Sequence, residues 1–303
     1  MSHYGVAHTP PAGQAANVDT DSSGRGNLGP DPVRDLSERI AGQSVMAKLL
    51  DEQAKLPPQR FMARLFGTTP LGPDSKSWYK GALGEIEVGK VLAGMGSGWE
   101  VLHSVPVGKA DTDIDHVVIG PAGVFTLNTK NHSGQKVWVG GNTFMVNGTK
   151  TTYISKAVSE ARRAARVLGK ATGREVNVAA LLVLIEPRSL TVKTGLDGVE
   201  IVNAGNLRRW FSRQPHILHA AEVERLAAAA RAPGAWHENP QIGDEPTAVE
   251  ARFASLNRHV KKSTVRRTVW RLGVGAAFLT AAMVGGTLLP PILGTFLAGL
   301  AGG

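Results

Sequence analysis

The chain has 303 residues and 42% apolar content, enough for a sizeable core, while 36 Gly and 17 Pro demand long irregular stretches. Cysteine is absent, which excludes disulfide staples, Cys-ligated zinc and a thiolate nucleophile, and accords with a reducing compartment. A net charge of +9, from 34 Lys and Arg against 25 Asp and Glu, favours polyanionic partners: nucleic acid or an anionic leaflet.

Residues 1–30 are rich in Gly, Ser, Pro, Asp and His and hold no apolar run. They predict a disordered N-terminus without a secretory signal. Residues 31–75 read as a helical segment and linker. A helix over Pro32–Leu56 carries Leu36, Ile40, Val45, Leu49 and Leu50 and ends at Pro57-Pro58. A short helix covers Phe61–Phe66, and the breakers from Gly67 to Ser75 form the linker.

Residues 76–190 have the pattern of an α/β domain. A helix is expected over Trp78–Ala93, then strands at about 99–106, 113–119, 124–130 and 136–140. A helix near 153–170 and a buried strand over Val178–Ile185 complete it. Residues 191–236 extend the unit with a strand, Val199–Val202, and helices around Leu207–Phe211 and His219–Arg231. Residues 237–271 are linker and basic helix, with Pro233–Thr247 read as linker throughout.

The segment with chemical content runs from Asp111 to Lys130. Gly120-Pro121-Ala122-Gly123 is a turn, so the flanking strands form a hairpin. With Ile119 opposite Val124, Asp115 falls opposite Asn128 and Asp113 opposite Lys130. Strand alternation puts these four on one face and Ile114, Val118, Phe125 and Leu127 on the other. Carboxylate, amide oxygen and ammonium on one patch suit phosphodiester hydrolysis, which needs a hard cation held by oxygens and a positive charge near the developing anion. Lys130 equally suits a plain cross-strand ion pair.

Gly84-Glu85 on a helix, Ile114-Asp115-His116, Gly120-Pro121-Ala122-Gly123-Val124-Phe125 and Thr129-Lys130-Asn131 together resemble the NERD, or nuclease-related, domain, in its actinobacterial form. The resemblance spans about Trp78–Pro187. It implies a restriction-endonuclease-like α/β core of the PD-(D/E)XK type: a mixed sheet flanked by helices. It also implies Glu85, Asp115, Asn128 and Lys130 as the catalytic set, with Asp115, Asn128 and Glu85 holding Mg2+ or Mn2+. Asn128 stands where the family generally has the Glu of Glu-x-Lys, so metal affinity should fall. Two functional readings follow: a metal-dependent nuclease acting on DNA with reduced activity, or an inactive nucleic-acid-binding or scaffolding module.

Other features have ordinary readings beside the functional one. His116 follows Asp115 and so points the other way, as a packing residue; His132 reads as a loop histidine. Gly84–Lys90 imitates a phosphate-binding loop, but two Glu inside it and Val91 after the lysine reject that reading. Arg162, Arg163, Arg166 and Lys170 form either a solvated helix face or a surface that tracks a DNA backbone.

The 32 residues 272–303 carry no charge and are read as a transmembrane or re-entrant membrane segment, which Pro290-Pro291 must kink or break. Arg258, Lys261, Lys262, Arg266, Arg267 and Arg271 precede it, with Trp270 at the edge. That asymmetry anchors the chain at the cell membrane with the nuclease-like domain on the cytoplasmic side.

Overall fold

The computed structural model describes residues 35–107, 113–193, 198–237 and 245–301, with side chains in the last helix placed as far as Met283, apart from 281. The expected disordered segment 1–30 lies outside these residues. The helix expected over Pro32–Leu56 is two pieces: a 3₁₀ turn, Leu36–Glu38, and α1, Gln43–Ala54. Gly42 separates them with φ 77, a left-handed conformation that glycine adopts without a Cβ clash. Helix α2 (Phe61–Leu65) follows, and then α3 (Ser75–Leu92).

The main sheet contains β1 (Glu100–Pro106), β2 (Asp113–Gly120), β3 (Gly123–Asn131), β7 (Val178–Ile185) and β9 (Val199–Asn203), in the order β1-β2-β3-β7-β9. The β1-β2-β3 part is antiparallel; β3, β7 and β9 run parallel. The crossover from β3 to β7 carries α4 (Tyr153–Thr172), as a parallel pair requires a long connection. It also carries β4 (Lys136–Gly140), β5 (Thr143–Val146) and β6 (Thr149–Thr151), which join β8 (Ser189–Val192) in a second mixed sheet, β6-β5-β4-β8. The strand at 136–140 was legible from sequence, but the other three strands of its sheet were not.

One face of the main sheet packs Val118, Phe125, Leu127, Leu181 and Val183 against Val88 and Leu92 of α3 and against α5 (Leu207–Phe211). The opposite face packs Val117, Ile119 and Val124 against Ala164 and Leu168 of α4 and Leu226 of α6 (Ala220–Arg231). The expected mixed sheet between helices is therefore present. Ile114 departs from expectation: it joins the cluster of Val117, Ile119 and Val124, not that of Val118 and Phe125. Near it, Ser104 on β1 has φ 48, and a left-handed residue turns the strand locally and breaks simple alternation.

Trp236 corrects the linker expected over Pro233–Thr247. Residues Pro233–Trp236 form α7, and the indole is 4% exposed with its Nε1–H donating to the Ala230 carbonyl at 2.7 Å. A large ring with a satisfied donor outweighs the local breakers.

Helix α8 runs unbroken from Pro246 to Ala301. Its first turns pack Val249 and Phe253 against Met46 and Leu49 of α1 and Ala82 of α3, and Tyr79 donates to Asn257 Oδ1 at 2.7 Å. Pro290-Pro291 does not break the helix, so a re-entrant hairpin is not formed. A proline removes one backbone bond and crowds one turn, at about 3 kcal/mol, without abolishing the remaining ladder. Among the described residues no helix is long and apolar enough to cross a membrane, so the structure does not show the expected C-terminal membrane segment.

Candidate functional site

The β2–β3 hairpin has the expected register, with Ile119 opposite Val124 and the ladder continuing to His116 opposite Leu127. There the strands part. The expected Asp115–Asn128 and Asp113–Lys130 pairs are absent from the ladder. The Asp115 carboxylate enters the fork and accepts the Thr129 N–H through Oδ2 at 2.6 Å. Asp113 stays with β1, opposite Pro106, and lies 3.7 Å from the Arg39 guanidinium. The predicted patch of four on one face is thus a strand fork in which Asp115 is central and Asp113 is turned elsewhere.

Glu85 reaches the fork from α3. Its neighbour Gly84 lets the helix approach β3: a Cβ there would stand 3.3 Å from the Asn131 Cβ and the Thr129 Cγ2. Burial, and then the charge of Asp115, push the Glu85 carboxyl well above the usual range, with Lys130 opposing. Burial also raises Asp115, against the pull of Lys130 and the Thr129 N–H. Two carboxylates therefore share a poorly solvated space. Lys130, half-buried, places its ammonium 5.1 Å from the Tyr153 ring centre at the start of α4.

Asn128 is 3% exposed, and its Nδ2 donates to Glu160 Oε2 at 2.7 Å. Its Oδ1 is buried without a hydrogen-bond partner. Glu160, on α4, was not singled out from the sequence. It is buried, and its other oxygen lies 3.8 Å from Lys156 Nζ. Desolvation raises its carboxyl first, Asp115 adds to this, and the Asn128 amide opposes. A signal existed: Ala157, Ala161, Ala164 and Leu168 form the buried stripe of α4, and Glu160 sits on it at i+3 from Ala157 and i−4 from Ala164. A carboxylate on an apolar stripe needs a partner.

His132, read as a loop residue, is 9% exposed, stacks on Tyr153 with centroids 5.6 Å apart, and shares a 2.8 Å Nδ1 contact with Gln135 Oε1. His116 is a buried packing residue, with its Nδ1 2.8 Å from that of His103. Arg162, Arg166 and Lys170 lie exposed along one line of α4. Arg163 differs, since its guanidinium donates to the Val107 carbonyl at 3.1 Å.

The fork supplies hard oxygen donors, and the unpartnered Asn128 Oδ1 fits a cation that accepts an amide oxygen. Among the described residues, however, no three His, Asp or Glu side chains form a ready-made metal cluster. A separate cavity of about 180 Å³ lies by the hairpin turn, lined by Gly123, Val124, Arg174, Ile217 and Leu226, away from the fork.

The fold and this side-chain set define a mixed α/β unit with carboxylates and a lysine gathered where two strands part. Residues 80–185 match the family model of the nuclease-related domain, NERD, which bears out the resemblance read from the sequence. No curated protein and no solved structure matches the chain.

Proposed function

We propose that the NERD region is a metal-dependent phosphodiesterase acting on DNA, with Glu85, Asp115 and Asn128 as ligands of Mg2+ or Mn2+ and Lys130 as the catalytic cation. The carrying observation is the strand fork, where the Asp115 carboxylate, fixed by the Thr129 N–H, feels both the carboxylate delivered by α3 and the ammonium delivered by β3. When bound, the cation polarises a phosphate and lowers the pKa of water. The chain does the rest. The Thr129 N–H fixes one oxygen of Asp115. Gly84 sets the reach of Glu85, and Tyr153 holds the Lys130 ammonium over its ring face, ready to meet negative charge that develops on a phosphate oxygen.

The exposed line of Arg162, Arg166 and Lys170 supports a backbone-tracking surface for DNA. Anchoring at the cytoplasmic face of the membrane belongs to the same reading. Its support is the uncharged sequence 272–303 after six cations, together with exposed Val269, Leu272, Phe278 and Leu279 on α8 and Phe61 and Met62 on α2. The Trp270 indole N–H and the Arg266 guanidinium close the last carbonyls of α2, at 3.0 Å and 3.1 Å. This places a short apolar helix beside the basic-to-apolar transition of α8.

A second reading, a nucleic-acid-binding module without catalysis, is favoured by Asn128 alone, which brings no charge to the cation. The deciding experiment is cleavage of plasmid and single-stranded DNA by the full chain in detergent with Mg2+ or Mn2+. Activity abolished by chelator, by Asp115→Ala and by Lys130→Ala supports the nuclease. Salt-sensitive DNA binding with no cleavage under any metal selects the second reading.

A further inference from the structure

The nuclease reading leaves one weakness, the neutral residue at position 128, and α4 brings a carboxylate to that same residue. We infer that Glu160 is the positioning residue of the site: it holds the Asn128 amide by its nitrogen, turns the carbonyl oxygen to the cation, and returns the negative charge that the asparagine lacks. This rests on the metal-binding reading proposed above.

Three observations meet here. Asn128 Nδ2 donates to Glu160 Oε2 at 2.7 Å, so the rotation of the amide is fixed. An amide held by its nitrogen commits its oxygen to the other side, and that oxygen is buried with no partner in a residue 3% exposed. Buried acceptors are almost always satisfied, and an orphan amide oxygen on a side chain held by Glu160, whose carboxyl feels Asp115, calls for a ligand. Glu160 is itself buried on the apolar stripe of α4, where a charge has no use in folding. Its exposed neighbour Lys156 lies 3.8 Å away and offsets only part of that cost.

The pair is therefore one acidic ligand divided between two residues. An inner-sphere oxygen comes from β3, and its charge comes from a hydrogen-bonded carboxylate one layer out, on α4. Outer-shell carboxylates act in this way on metal-ligating groups generally: they fix orientation and raise donor strength.

The test is Mn2+ affinity of the full chain in detergent, measured by paramagnetic resonance of free Mn2+, with melting temperature recorded alongside. Glu160→Gln keeps an acceptor for the Asn128 amide but removes the charge. It is expected to weaken Mn2+ binding about 10–100-fold, the range typical of lost outer-shell partners. The double change Asn128→Glu with Glu160→Gln moves the charge back to the strand and is expected to recover most of that loss, while Asn128→Glu alone sets two carboxylates against each other and lowers the melting temperature. A Glu160→Gln protein that binds Mn2+ like wild type, or a double variant no tighter than Glu160→Gln, overturns the inference and leaves the metal reading intact. A wild-type chain that binds no Mn2+ overturns both. If Glu160→Gln does not fold, the double variant against wild type decides alone.

Discussion

Asp115 Oδ2 accepts the backbone N–H of Thr129 at 2.6 Å, just beyond the His116–Leu127 pair that ends the β2–β3 ladder. The side chain thus replaces the strand partner that β3 loses at the fork, and one residue serves both fold and site. The two roles separate on substitution. Asp115→Ala leaves a buried N–H unpaired, which costs about 1–3 kcal/mol. Asp115→Asn keeps an acceptor for Thr129 and removes the charge. Urea unfolding should show the alanine variant less stable than the asparagine variant by about that amount. DNA cleavage and Mn2+ binding should be lost in both. An asparagine variant as unstable as the alanine one would refute the division.

Glu85 pays in stability for its place beside Asp115. Its carboxyl is raised well above normal by burial and by that neighbour, so its contribution to stability is full below the ordinary carboxyl pKa and is lost as pH rises from there through the raised value. In chelator at neutral pH, Glu85→Gln should therefore raise the melting temperature. Wild type should gain about 2.7 kcal/mol when Mg2+ is at about 100 times its Kd, and the variant should gain much less. Equal gains in both proteins would remove Glu85 from the metal set.

How much of this was legible in the sequence follows from the range of each interaction. The hairpin register was readable because Gly120–Gly123 and the alternating apolar residues act within a few positions of each other. The fork was not: it involves Arg39 pairing with Asp113 from the N-terminal segment, 74 positions away, and an aspartate bonding to backbone. Glu160 was missed because its partner is 32 positions away across the β3–α4 layer, although its place on the buried stripe of α4 marked it. The second sheet escaped because β5, β6 and β8 have only four, three and four residues. Strands that short carry too little alternation to read.

The His103–His116 pair predicts an acid-sensitive core. Burial lowers His103 to about 4 and His116 well below its ordinary value, the latter helped by the neighbouring ring. Both groups fold neutral, so the unfolded chain binds more protons below the ordinary histidine pKa of about 6.5. The stability they contribute is complete above that pH and falls as pH drops towards 4, by up to about 1.4 kcal/mol per pH unit for each ring. The raised carboxylates Glu85, Asp115 and Glu160 trend the opposite way over part of this window. The comparison is therefore between wild type and His103→Gln, which does not protonate. The stability difference should shrink or reverse between pH 7 and pH 4. A constant difference would show that the rings are not held neutral.

The four cations of α4 should not behave alike. Arg162, Arg166 and Lys170 are exposed one turn apart, whereas Arg163 is half-buried and donates to the Val107 carbonyl, tying α4 to the end of β1. If the exposed line tracks a phosphate backbone, each of Arg162→Ala, Arg166→Ala and Lys170→Ala should reduce the slope of log K against log salt by about 0.9 on duplex DNA, with little change in melting temperature. Arg163→Ala should instead lower the melting temperature, because the tie from α4 to the Val107 carbonyl is lost, and keep the wild-type slope. Fluorescence anisotropy across a salt series, paired with thermal melts, reads both quantities. Unchanged slopes in the three exposed variants would assign that line to solvent and move the DNA surface elsewhere on the domain.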